Sequence, residues 1–210
     1  MRSIVSDSIG HVRSKHVPGS LQDLVVMRAT SPLGRLGAPQ EYLYHIVRIC
    51  RPTTGIETGV YRGVSTAFML AAMADNHSGQ LTSIDLPSAS YLDERTRVRD
   101  SSPLFDGEET GFAIPESLRN RWTLRIGDSR TLLKDTLSNS GKIDLFYHDS
   151  AHTYEVMKWE YETALESLRH GGVLLSDDVQ WNGAFREFSQ RPEVIWSAVL
   201  GHRLGVALIA

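Results

Sequence analysis

From Thr54 onward, short apolar runs rich in β-branched residues alternate with segments of helical period, and no other feature restricts the fold as strongly. The runs are Gly55-Ile56-Glu57, Leu81 to Leu86, Trp122 to Ile126, Ile143 to Tyr147 and Val173 to Ser176. Strands linked by crossover helices lie parallel, and a strand buried on both faces need not alternate polar with apolar residues. Ile143 to Tyr147 and Gly172 to Leu175 read as interior strands of this kind. Val64 to Ala74 is expected to be a helix. A second helix is expected from about Thr153, where Tyr154, Met157, Tyr161, Ala164, Leu165 and Leu168 fall on one stripe. Arg169 and His170 suit the negative end of that helix, and Gly171-Gly172 is read as its stop. Val194 to Leu200 and Leu204 to Ile209 flank a turn-like Gly201-His202-Arg203, a hairpin that closes the sheet. The expectation is a doubly wound α/β fold with a seven-stranded, mostly parallel sheet and an antiparallel C-terminal hairpin.

A chain of 210 residues suits one domain spanning 1–210. Two segments break the rhythm. Residues 1–39 form a polar lead-in or lid with a helix expected at Leu21 to Arg28 and a turn at Ser31-Pro32-Leu33-Gly34. Residues 87–121 are too long for an ordinary connection and read as an insertion near the substrate face. A net charge of −3 with 41% hydrophobic residues argues against a polyanion-binding surface, so nucleic acid is not an expected partner. No stretch has the eighteen apolar residues of a membrane span and the N-terminus lacks a signal-like apolar core, so a cytoplasmic location is expected. Cys50 stands alone, which rules out a disulfide within the chain or a thiolate metal cluster. The apolar run Val206 to Ala210 fits a buried last strand, or a contact with a second copy in a homo-oligomer.

In open α/β sheets ligands bind beyond the carboxyl ends of the strands, so the polar residues just after each run are the candidates. The first run leads into Glu57-Thr58-Gly59-Val60-Tyr61-Arg62-Gly63-Val64-Ser65, where Gly59 and Gly63 permit a sharp turn and close approach of a ligand. This is not the dinucleotide fingerprint, because Tyr61 occupies the place of its second glycine. Asp85 ends the second run, where a carboxylate can accept both hydroxyls of a ribose. Asp128 and Ser129 end the third, where an acceptor can meet an adenine amine, or where Asp128 can cap the next helix. Together they outline a nucleoside site without a phosphate site. Asp149, Asp177 and Asp178 end the fourth and fifth runs, and three carboxylates at one edge repel one another unless a cation sits among them. Hard oxygen ligands of this sort suit Mg²⁺, Mn²⁺ or Ca²⁺. Alternatively, Asp177 or Asp178 caps a turn while Asp149 faces the nucleoside.

In this order these residues resemble class I S-adenosylmethionine-dependent methyltransferases, in the branch of the catechol O-methyltransferases and macrocin-type sugar O-methyltransferases. The likeness covers about Thr54 to Ala210. It includes the turn Glu57-x-Gly59-x-Tyr61-x-Gly63-x-Ser65, the acidic Asp85 and the sequence His152-Thr153-Tyr154-Glu155. The resemblance implies a Rossmann-like methyltransferase fold, with S-adenosylmethionine held by Glu57, Gly59, Tyr61, Gly63, Ser65, Asp85, Asp128, Ser129 and Asp149. It also implies a divalent metal, Mg²⁺ above all, on Asp149, Asp177 and Asp178, the last standing where the family has Asn. His152 stands where the catechol enzymes have a lysine base, and an imidazole there can take a proton, ligate the metal, or simply cap or hydrogen-bond the backbone.

The function these residues point to is methylation of a small-molecule acceptor, with Asp149 and His152 as catalytic residues and a metal activating an acceptor hydroxyl. Two alternatives stand beside it: a methyltransferase that needs no metal, and a protein that binds S-adenosylmethionine without catalysis.

Overall fold

The computed structural model describes residues 39–86 and 108–210. The expected helix at 21–28, the turn at 31–34, nearly all of the lead-in and residues 87–107 of the insertion lie outside the described residues.

Helix α1 (Pro39–Cys50) precedes the sheet and has no counterpart in the sequence reading. Tyr42, Leu43, Ile46 and Val47 bury one stripe of it, and Pro39 suits a first helical position because it needs no amide partner. Strand β1 (Thr54–Thr58) is followed by α2 (Val64–Asp75), β2 (Gln80–Asp85), a short 3₁₀ turn at Glu116–Arg121 and β3 (Trp122–Ile126). Then come α3 (Ser129–Ser140), β4 (Ile143–His148), α4 (Tyr154–Leu165), β5 (Leu168–Ser176), α5 (Ala184–Phe188), β6 (Val194–Leu200) and β7 (Leu204–Ile209).

The seven strands lie in the order β3-β2-β1-β4-β5-β7-β6. Strands β1 to β5 pair in parallel, and β7 enters antiparallel between β5 and β6. The doubly wound, mostly parallel sheet with its C-terminal hairpin is as expected. Strand side chains alternate between the two faces. Leu145, Tyr147, Val173 and Leu175 pack with α1 and α2, whereas Phe146 and Leu174 pack with α3, α4 and α5. Strand order reverses between β1 and β4, so their carboxyl ends bound the crevice where such sheets take ligands. Among the described residues no helix is long and apolar enough to cross a membrane.

The helix before β5 ends earlier than its stripe suggests. Helix α4 stops at Leu165, and Leu168 already pairs with Ile143 as the first residue of β5. The register then slips, with Leu145 opposite Val173, so five steps along β5 match two along β4. Arg169 to Gly172 form the bulge. Gly171, at φ 78°, serves that bulge rather than a helix end.

Candidate active site

Glu57 lies at the end of β1 with no solvent exposure. Its carboxylate accepts hydrogen bonds from the Thr66 hydroxyl (2.9 and 3.0 Å) and the Ser83 hydroxyl (2.6 Å). Burial pushes this carboxyl up to about 8, against the effect of those hydroxyls. Glu57 therefore sits beneath the turn that follows it.

That turn has Gly59 at φ 85°, Tyr61 at φ 52° and Gly63 at φ 83°. Gly59 donates its N–H to Ile84 O at 2.8 Å, joining the turn to β2. A Cβ on Gly59 would lie 2.0 Å from the Asp149 carbonyl oxygen, and one on Gly63 would lie 2.8 Å from both Gly111 Cα and Ile114 Cγ1. Ligand approach was the expected reason for these glycines; the structure adds that the protein's own backbone fills the space. Tyr61 donates its backbone N–H to Asp85 Oδ2 at 2.9 Å, so the carboxylate after β2 is held against the turn after β1. The same carboxylate accepts from Leu86 N–H (3.0 Å), and the Val60 amide and Thr110 hydroxyl also bond to it. Burial raises its pKa in opposition to these donors. The Arg62 guanidinium lies over the Tyr61 ring, 5.2 Å from its centroid.

Two of the expected adenine-facing groups are engaged within the protein. Asp128 caps α3 by accepting Arg130 N–H (2.8 Å) and also holds the Arg130 side chain, with Nη2 to Oδ2 at 2.6 Å. Arg130 keeps the Asp128 carboxyl below its ordinary range. Ser129 turns its hydroxyl to Glu160, and Ser65 bonds its hydroxyl to that of Tyr147.

Asp149 follows β4 with its side chain 24% exposed, and its Oδ2 accepts the Tyr147 hydroxyl at 3.0 Å. Burial and the nearby Asp177 push the Asp149 carboxyl well above the usual carboxylate range. His152 is nearly buried, its Nε2 3.8 Å from Asp149 Oδ1. Its ring meets His148 edge-on at 5.3 Å and lies 5.4 Å from the half-exposed Trp181. The next helix is capped by the Thr153 hydroxyl, which accepts from Val156 N–H, so His152 is not its cap.

Two of the three expected metal ligands, Asp177 and Asp178, are paired with an arginine. Asp177 and Asp178 are both buried, and the cation beside them is Arg203, from the turn between β6 and β7. Arg203 Nε and Nη2 donate to Asp177 Oδ1 and Oδ2, both at 2.6 Å, while Nε also lies 3.0 Å from Asp178 Oδ1. Asp177 Oδ1 further accepts Asp178 N–H (2.9 Å), and Asp178 Oδ1 accepts Gln180 Nε2 (3.0 Å). Among the described residues no three His, Cys, Asp or Glu side chains are grouped to hold a metal. For Asp177 and Asp178 the neighbouring cation is a guanidinium.

Sequence reasoning also missed Glu160. It lies on the buried stripe of α4 with no exposure, and its carboxylate gathers Thr58 Oγ1 (2.5 Å), Ser150 Oγ (2.8 Å) and His148 Nδ1 (2.6 Å). Burial alone would raise this carboxyl, but His148 and the Ser129 and Thr58 hydroxyls hold it below the usual range. A glutamate three residues after Met157 and four before Ala164, in the middle of the apolar stripe, was the signal available.

The crevice between β1 and β4, the positive-φ turn and the acid after β2 lie together at the sheet edge where open α/β folds take their ligands. The methyltransferase-domain family matches residues 56–179, more than half of the 210 residues, and the chain belongs to that family. Solved structures share the fold over nearly their whole length. An O-methyltransferase from Bacillus cereus, in complex with S-adenosylhomocysteine, is 16% identical with a TM-score of 0.58, covering 93% of each chain. The O-methyltransferase TomG from Streptomyces achromogenes, involved in tomaymycin synthesis and bound to S-adenosylmethionine, is 17% identical with a TM-score of 0.56, covering 93% of this chain and 91% of TomG. The methyltransferase PaMTH1 from Podospora anserina, bound to S-adenosylhomocysteine, is 14% identical with a TM-score of 0.57, covering 92% and 89%. Among curated proteins none matches the sequence.

Proposed function

We propose that this methyltransferase takes its methyl group from S-adenosylmethionine and delivers it to a hydroxyl of a small molecule. The observation that carries the reading is Asp85, a partly exposed carboxylate bonded to the positive-φ turn after β1 and already accepting N–H and O–H donors. A ribose diol presents the same donor chemistry. The exposed Tyr61 ring beside it offers a flat apolar surface. Tyr61 and Asp85 would face the nucleoside, while Glu57 would act from below, fixing the turn through Thr66 and Ser83.

Bound there, S-adenosylmethionine supplies an electrophilic methyl on a positively charged sulfur, and its transfer leaves a neutral thioether. The protein's task is then to place the acceptor oxygen and receive its proton. Asp149 and His152 stand together at the end of β4. The pair places a carboxyl and an imidazole side by side where an acceptor hydroxyl could pass on its proton as its oxygen gains the methyl. Asp177 and Asp178, closed by Arg203, do not fit a magnesium ion as arranged, so no step is assigned to a metal. Half-exposed Trp181 and exposed Phe112 would form the apolar rim for the acceptor. Family resemblance and the O-methyltransferase neighbours favour oxygen as the nucleophile.

Calorimetric titration with S-adenosylhomocysteine tests the proposal. Wild type is expected to bind saturably, and Asp85→Asn to bind about 10- to 100-fold more weakly, the effect of hydrogen bonds to a charged acceptor. Absence of binding by folded wild-type protein would overturn the reading. Methyl transfer to a panel of phenols and sugars would then identify the acceptor class.

A further inference from the structure

We infer that Arg203 is the resident cation of the acceptor face and that methyl transfer by this chain runs without a bound divalent ion. The inference rests on the methyltransferase reading but concerns a different set of residues. A magnesium ion needs near-octahedral oxygen ligands at about 2.0–2.1 Å, with free lone pairs directed at one point. Asp177 has three donors on its roughly four lone-pair sites. Its two oxygens take the planar fork of Arg203 at 2.6 Å each, and Oδ1 also accepts the Asp178 amide. Asp178 shares its Oδ1 between the same guanidinium and Gln180. Asp149 gives Oδ2 to Tyr147.

The guanidinium is fastened by its backbone as well as its side chain. Arg203 O accepts the Val179 N–H at 3.1 Å, and Arg203 N–H closes the turn on Leu200 O at 3.2 Å. Gly201 and His202, at φ 59° and 63°, have the two positive φ angles of a type I′ hairpin turn. A tight turn between two paired strands therefore delivers the charge to the acid pair. Bidentate guanidinium–carboxylate pairs are among the stronger charge-assisted contacts, and this one lies on a buried Asp177. A divalent ion on Asp177 would have to displace the arginine and leave its charge unpaired beside the site. With its side chain 45% exposed, Arg203 also keeps one edge open to solvent while it holds Asp177.

The test is a titration of the full chain with Mn²⁺, followed by the electron paramagnetic resonance of free Mn²⁺, beside S-adenosylhomocysteine calorimetry in EDTA and in Mg²⁺. Wild type is expected to show no saturable Mn²⁺ site tighter than about 1 mM, the weak end of oxygen-ligand sites. Its melting temperature is expected to be unchanged by Mg²⁺, where a specific site at a hundred times its Kd would add roughly 5–10 °C. Arg203→Ala, which bares both acids, is expected to bind Mn²⁺ at least about tenfold more tightly than wild type. If that variant does not fold, the wild-type titration and Arg203→Lys, which keeps one charge without the fork, still decide the matter: Arg203→Lys is expected to remain without a sub-millimolar site. Sub-millimolar Mn²⁺ binding by wild type, abolished in Asp177→Asn, would overturn the inference. Failure to bind S-adenosylhomocysteine in either buffer would instead strike the methyltransferase reading, and the Mn²⁺ result would still judge Arg203.

Discussion

Glu57 and Glu160 are both without solvent exposure, one on each face of the sheet, yet their carboxyls shift in opposite directions. Glu57 has only neutral partners, the hydroxyls of Thr66 and Ser83, and burial prevails. Glu160 has an ionisable partner in His148 as well as the hydroxyls of Thr58 and Ser150, and burial is outweighed. Adjacent residues of one strand set these two environments, since Glu57 points toward α2 while Thr58 bonds into α4. Two hydroxyls do not offset the desolvation of a carboxylate, whereas a histidine with several donors does. At neutral pH the carboxyl under the glycine turn is thus close to uncharged, whereas Glu160, on the other face, is held below its usual range by a buried hydrogen-bond network.

The contrast can be broken where its two sides meet. Gly59→Ala would force an L residue to φ 85° and place its Cβ 2.0 Å from the Asp149 carbonyl oxygen. A cost of at least about 4 kcal/mol is expected, lowering the thermal midpoint by roughly 8–16 °C. A loss of only a degree or two in calorimetry would show that the two loops are not locked together. Glu160→Gln comes next. Removing the carboxylate from the His148 pair is expected to destabilise the fold by about 3 kcal/mol in urea unfolding at pH 7. A neutral outcome would mean that the network is no more ionic than its counterpart.

The smallest effect sharpens the contrast through pH. Glu57 has a carboxyl raised from 4.5 to about 8, so the native state holds a proton that the unfolded chain releases. Its contribution to stability is present in full below about pH 4.5 and is lost as pH rises through about 8. Glu160 has the opposite sign, with its contribution present above the ordinary glutamate range and lost as pH falls through its lowered value. Glu57→Gln should cost no more than about 1 kcal/mol at pH 7 and become relatively more favourable toward pH 9, because an amide cannot ionise in place. A stability difference between wild type and Glu57→Gln that stays flat from pH 5 to pH 9 would place Glu57 in the same state as Glu160.

The strands, their order of appearance and the hairpin were legible because apolar runs and crossover helices are local patterns. Gly59, Tyr61 and Asp85 were legible as a group because a strand end followed by a positive-φ turn leaves a residue-type trace. Helix α1 was missed although Tyr42, Leu43, Ile46 and Val47 carry its period; the reading began only where the strands did. Arg203 was out of reach for another reason. It lies 26 residues from Asp177 and meets it only because β7 slots between β5 and β6, a pairing that no local period encodes. Asp177 and Asp178 have no cationic partner in their own stretch of sequence, and only tertiary structure reveals that Arg203 stands beside them from a turn. Asp128 illustrates the reverse case, since its capping bond to Arg130 N–H is a local pattern and was among the sequence expectations.

The approach of Gly59 to the Asp149 carbonyl has a mechanical side. Main-chain atoms have no rotamers, so a contact between two backbones holds its length without freezing any side-chain motion. The turn proposed to carry the donor and the loop proposed to carry the acceptor therefore drift together rather than apart as the molecule breathes. Transfer between two bound partners is acutely sensitive to their separation, and here the ruler that sets it is a missing methyl group.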